Sequence, residues 1–113
     1  MPEPETKNGI RFVTGGVGER AEKHMAKMKD QYPLRVTMST EGGKFVSGMS
    51  VSIADSSGKN LLTTHVQGPK LFVDLEPGEY RLEVAGPALR ELQRSFTIEK
   101  GKAEDILIQV PSV

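Results

Sequence analysis

The residues of this chain whose types and spacing could do chemistry are few. The first group is Gly15-Gly16-Val17-Gly18-Glu19, which precedes a run with helical periodicity. Glycines ahead of a helix let backbone amides and the helix N-terminus approach an anion, and Gly16-x-Gly18-x-x-Ala21 has the outline of a phosphate-cradling fingerprint. A dinucleotide site also needs a βαβ unit with an acidic residue closing the next strand. Here the next strand opens a series of further strands, so the glycines are read as a sharp turn, with anion capture by helix amides as the functional alternative. The second group is Gly68-Pro69-Lys70, a turn that carries a cation. Together Gly15, Gly16, Gly18, Glu19, Gly68, Pro69 and Lys70 are the candidate binding residues.

Catalytic and metal chemistry finds less support. His24 and His65 are the only histidines, there is no cysteine, and no third ligand follows from spacing. No metal site is assigned. Asp55-Ser56-Ser57-Gly58-Lys59-Asn60 offers oxygen ligands in the manner of a calcium loop, but Gln67 lies near the position where such a loop requires a glutamate. A plain hairpin turn is the better reading. The serines show no nucleophile-elbow pattern beside a histidine and an acid. No catalytic residue and no cofactor is therefore expected, and the protein is read as a non-enzyme.

These groups must be positioned by a framework that is mostly β. In Leu71-Phe72-Val73-Asp74-Leu75 and Tyr80-Arg81-Leu82-Glu83-Val84 every second residue is apolar, and Pro77-Gly78 supplies a reversal between them. Alternation begins at Leu34, and seven strands are expected: 34–39, 48–54, 61–66, 71–75, 80–85, 90–99 and 104–110. Before them, residues 19–32 read as a helix. Val17, Ala21, Met25, Met28 and Tyr32 recur at three- and four-residue spacing, Glu19 and Glu22 open it, and Pro33 ends it. The stripe of Met25, Met28 and Tyr32 packs on the sandwich, or it detaches and offers a methionine-rich surface to a protein partner. Ile10, Phe12 and Val13 suggest a short edge strand. Residues 1–9 are polar and offer nothing to bury, which predicts a disordered tail.

At 113 residues the chain is the size of one domain. The expected organisation is a tail over 1–9, an edge strand and amphipathic helix over 10–33, and a β-sandwich over 34–113. Fifteen basic and fifteen acidic residues leave no net charge and are interspersed, so the basic stripe of a nucleic-acid binder is missing. No apolar run approaches the roughly 20 residues needed to span a bilayer. Without tryptophan, sugar stacking is disfavoured.

Val51-Ser52-Ile53-Ala54-Asp55-Ser56-Ser57-Gly58-Lys59, Gly68-Pro69 and Leu75-Glu76-Pro77-Gly78-Glu79-Tyr80-Arg81-Leu82 resemble the carboxypeptidase regulatory-like, or transthyretin-like, β-sandwich domain over about residues 34–110. Gly15 to Ala21 with Tyr32-Pro33-Leu34-Arg35-Val36 resembles small exported proteobacterial proteins that place a short helix before such a sandwich. The resemblance implies a seven-stranded antiparallel Greek-key sandwich of prealbumin-like topology, with one N-terminal helix. It also implies a periplasmic or secreted location and a non-catalytic binding or structural role in the bacterial cell envelope. Lys70 stands where relatives commonly carry an aromatic, and Glu76 where many carry proline. Hydroxyisourate hydrolases share this architecture, but their characteristic C-terminal tetrapeptide is not matched by Val110-Pro111-Ser112-Val113. The expected protein is a monomer whose partner is a protein or an envelope component. A small hydrolase with an unrecognised site, and a self-assembling or adhesion-type surface protein, are the alternatives.

Overall fold

The computed structural model describes residues 3–40, 49–66, 68–86 and 89–110. Among these residues nine strands form two sheets, with one α-helix outside them. The strands are β1 (Glu5–Lys7), β2 (Ile10–Gly15), β3 (Leu34–Thr40), β4 (Ser50–Asp55), β5 (Asn60–His65), β6 (Lys70–Val73), β7 (Gly78–Gly86), β8 (Leu89–Ile98) and β9 (Glu104–Val110). Helix α1 (Glu19–Met28) continues into one 3₁₀ turn, Lys29–Gln31. Strand order is β1-β2-β6-β3-β9 in the five-stranded sheet and β5-β4-β7-β8 in the four-stranded one.

Side-chain alternation explains the layering. Phe12, Leu34, Val36, Leu71 and Val73 from one sheet meet Val51, Ile53, Leu62, Leu82 and Val84 from the other in a single buried cluster. Residues of opposite phase on the five-stranded sheet face outward, where Val13 and Phe72 form a second cluster with Met25 and Tyr32. Strand β6 is therefore buried on both faces at Leu71, Phe72 and Val73, because the sandwich covers one side and α1 the other.

Several sequence expectations need correction. The tail is not wholly disordered: Glu5–Lys7 pairs with Ile10–Phe12. Asn8 and Gly9 have φ of 51° and 76°, the two positive values that a two-residue hairpin turn matching strand twist requires. The strand at Ile10 is consequently internal, between β1 and β6, rather than an edge. The described residues form nine strands rather than seven, and the sheets are not wholly antiparallel, since β3 and β9 run parallel from Leu34↔Glu104 to Thr40↔Val110. Periodicity cannot distinguish the two pairings, because both alternate with period two. Val17 is not on the buried stripe: it precedes the N-cap Gly18 and is 58% exposed. The expected turn over residues 41–44 and the start of the 48–54 strand lie outside the described residues.

Both open sides of the sandwich are tied by side chains. Lys7 Nζ and Asn8 Nδ2 donate to the β5 carbonyls of Thr63 (3.4 Å) and Leu61 (3.0 Å). On the other side Arg94 Nη1 donates to the β9 carbonyl of Leu107 at 3.0 Å. Occupied carbonyls and charged side chains make an edge a poor template for another strand.

Candidate functional site

The two candidate binding segments, separated by some fifty residues of chain, meet at one corner of the five-stranded sheet. Antiparallel pairing of β2 with β6 places Gly15 opposite Lys70. Gly68 lies against Gly15 so closely that a Cβ built on it would stand 2.4 Å from the Gly15 carbonyl carbon and oxygen. Only glycine fits there, and the reason is space: Gly68 is not among the residues with positive φ. At Gly16 the reason is conformational, with φ of 103°. Its missing Cβ faces Lys70 Cγ at 3.0 Å.

Strand β3 completes the corner. Pro69 O accepts the Met38 N–H at 2.7 Å, and Lys70 Nζ donates to Thr37 Oγ1 at 3.0 Å, so the half-buried lysine is held across the sheet surface. Gly18, with φ of 90° and ψ of 156°, leads into α1 without a side-chain cap. The first intrahelical bond runs from Glu22 N–H to Gly18 O at 3.0 Å, so the amides of the first turn precede it. Glu19 is turned to Lys23, 3.3 Å away and equally exposed. The corner thus combines turn amides, an uncapped helix start, a positioned ammonium and the exposed side chain of Val17. Thr37 is the member that sequence reasoning missed, because its outward phase gives no sign that it faces Lys70.

Met25, Met28 and Tyr32 are not part of this corner. They lie further along the same outer face, with Met25 and Tyr32 buried against Val13 and Phe72 and Met28 half-buried beside them. Tyr32 is tilted on Phe72 with ring centroids 6.1 Å apart, and the Arg11 guanidinium sits 5.1 Å from its ring. Arg35, another residue with no signal in the sequence, fixes the end of this segment. Its Nε donates to Lys29 O at 3.1 Å, and its guanidinium faces Asp30 (3.5 Å) and Asp105 (3.9 Å).

Concavities elsewhere include the following two. One of about 620 Å³ lies beside the Asp55 turn and Tyr80. Three of its polar side chains, Asp55, Ser57 and Tyr80, are committed to the fold. Asp55 Oδ1 accepts from Ser57 Oγ (2.6 Å), Ser57 N (3.0 Å) and Lys59 N (3.0 Å). The Ser57 hydroxyl above all, and then the Lys59 amide, hold this carboxyl below its ordinary value of 3.8. This is a turn lock, as the sequence suggested. Tyr80 Oη donates to Glu76 O at 2.6 Å, four residues upstream, in the manner of a tyrosine corner. Burial first, then the charges of Glu76 and Asp55, raise its phenol above 10.0. The other concavity, about 510 Å³, lies between the 3₁₀ turn, Pro77 and the β8–β9 turn.

His24 is on α1 over the five-stranded sheet, whereas His65 ends β5 in the other sheet. Among the described residues no group of three or more His, Cys, Asp or Glu could hold a metal ion. No described helix is long and apolar enough to cross a membrane.

Among the described residues, two packed sheets with one helix outside them form a β-sandwich. Among the solved structures it resembles is that of Klebsiella pneumoniae 5-hydroxyisourate hydrolase, a transthyretin-like fold, with a TM-score of 0.56 at 15% identity, over 69% of this chain and 88% of that one. No family model and no curated protein matches the sequence. At that identity the likeness describes the fold.

Proposed function

We propose that this protein is a non-catalytic binding module of the bacterial cell envelope, periplasmic or secreted, and that its ligand seats on the corner formed by Gly15–Glu19 and Gly68–Lys70. The observation that carries the reading is the convergence of those two segments. A glycine required only for close approach (Gly68), a glycine required for its dihedral (Gly16) and a lysine fixed on Thr37 meet at one end of a sheet. A rigid β framework presenting such a loop cluster is the usual arrangement of a binding scaffold. The side-chain ties on both open edges support a monomer, and the balanced, interspersed charge favours a protein or envelope component over nucleic acid as its partner.

The test is an amide-resolved NMR titration against peptidoglycan fragments, oligosaccharides, phosphate, divalent cations and periplasmic extract. Shifts confined to residues 15–22 and 68–70, and lost in Lys70→Met, are expected. Shifts elsewhere, or none with any member of the panel, would overturn the assignment.

A second reading, a small hydrolase, has one observation in its favour, the fold shared with a hydrolase. Turnover of 5-hydroxyisourate by the purified chain, abolished in His24→Ala or His65→Ala, would replace the first reading with this one.

A further inference from the structure

We propose that α1 is a flap that lifts from the five-stranded sheet while the sandwich stays folded, uncovering Val13, Phe72 and the hydroxyl of Tyr32. The inference shares Gly16 and Gly18 with the corner described above but does not rest on a ligand binding there.

Three observations carry it. The first is Tyr32 Oη, which is buried with no hydrogen-bond partner among the described residues, in a residue only 1% exposed. A buried hydroxyl left unpaired opposes the closed state, and solvating it favours opening. The second is the weak hold on the helix. Within α1 Met25 is the one buried residue, and the helix is 10 residues long, below the roughly 12–15 at which an isolated helix becomes marginally stable. Its cluster is separate from the main core, so lifting it leaves the contacts between the two sheets intact. The third is the asymmetry of its two ends. The entry is uncapped and passes through Gly16 and Gly18, both at positive φ. The exit is pinned to β3 by Arg35, through Lys29 O at 3.1 Å and Asp30 at 3.5 Å. Motion is thereby directed to the N-terminal end, with the glycines as hinge and the 3₁₀ turn as anchor.

Two methionines of equal static burial make the test internal to one molecule. Met25, on the buried face of the flap, and Met38, in the main core, are each 1% exposed. Static burial alone gives equal protection from oxidation, whereas a local opening exposes only Met25. The native protein is treated briefly with dilute hydrogen peroxide, and sulfoxide at each methionine is read by peptide mass spectrometry at low conversion, with half-buried Met28 as the fast reference. Met25 is expected to oxidise at least about tenfold faster than Met38, the scale of a local against a global opening. Tyr32→Phe removes the unpaired hydroxyl without changing ring packing, so it should slow Met25 by about tenfold and leave Met38 unchanged. Equal rates at Met25 and Met38 in the unaltered protein would overturn the proposal. So would a Met25 rate that Tyr32→Phe leaves unchanged or increases.

Discussion

Gly68→Ala puts the central feature of the corner to a direct stability test. The added Cβ would stand 2.4 Å from the carbonyl carbon and oxygen of Gly15 and 2.9 Å from its Cα. Unbonded carbons settle at about 3.5–4.0 Å, so the overlap exceeds about 1 Å, and it falls on backbone that no rotamer change can move. Relief requires β2 and β6 to separate where Gly15 pairs with Lys70. Overpacking of this kind costs about 1–3 kcal/mol, and the rigidity of the contact puts this case near 2.5 kcal/mol. Gly101→Ala supplies the comparison: Gly101 has φ of 78° with nothing within 4 Å of the new Cβ, so only dihedral strain of about 1 kcal/mol applies. Urea unfolding followed by circular dichroism reads both. With a slope of about 1.25 kcal/mol per molar, Gly68→Ala should lower the midpoint by about 2 M and Gly101→Ala by less than about 1 M, with slopes unchanged. A Gly68→Ala midpoint no lower than that of Gly101→Ala would refute the claim that close backbone approach requires this glycine.

Further outcomes follow from groups that hold the framework. Arg35→Met keeps the apolar stem but removes the hydrogen bond to Lys29 O and the contacts with Asp30 and Asp105. A loss of about 1.5 kcal/mol, seen as a fall of about 6–12 °C in thermal midpoint, is expected; an unchanged midpoint would remove the clip from the account. Asp55, whose folded-state pKa is lowered, contributes stability that is present above its unfolded value and lost as pH falls through the folded one. Its carboxyl carbon, followed by NMR, should titrate below 3.8 together with the Ser57 and Lys59 amides, and a midpoint at or above the ordinary value would contradict the turn lock. Tyr80 has the opposite sign: a raised phenol pKa contributes stability present below the unfolded value and lost as pH rises through the folded one. Absorbance titration in a Tyr32→Phe background isolates Tyr80, since the chain has two tyrosines; its midpoint should lie above 10.0.

The sequence made the β-rich framework legible because its strands are half-buried. Leu82 and Val84 alternate with polar residues, and both prove fully buried. The helix was legible for a similar reason, since Met25 and Tyr32 share a face and Pro33 forbids continuation. Its last turn tightened to 3₁₀ before that proline, which a stripe of apolar positions cannot register. Asn8-Gly9 carries a hairpin signal that the polar composition around it conceals, so the sequence reads as a disordered tail where β1 forms. The parallel β3–β9 ladder was beyond reach, because pairing direction is a property of topology and not of one strand's pattern. The candidate segments were individually visible through their glycines. Their convergence was not, since it depends on β2 pairing with β6, and Thr37 enters only through β3 beside them.

The composition of the two sheets bears on the order in which the chain can fold. The four-stranded sheet draws on residues 50–98 alone, and its β4–β5 and β7–β8 pairs are neighbours in sequence. The five-stranded sheet joins segments from near both chain ends, with Leu34 opposite Glu104 and Thr40 opposite Val110. Closing a loop of that length costs entropy before any contact rewards it, so local hairpins precede distant ladders. A chain emerging from its N-terminus can therefore assemble the β4–β5–β7–β8 sheet while β3 still awaits β9. The glycine and lysine corner draws only on β2, β3 and β6, which all precede β7 in the chain, so its assembly does not wait for β9.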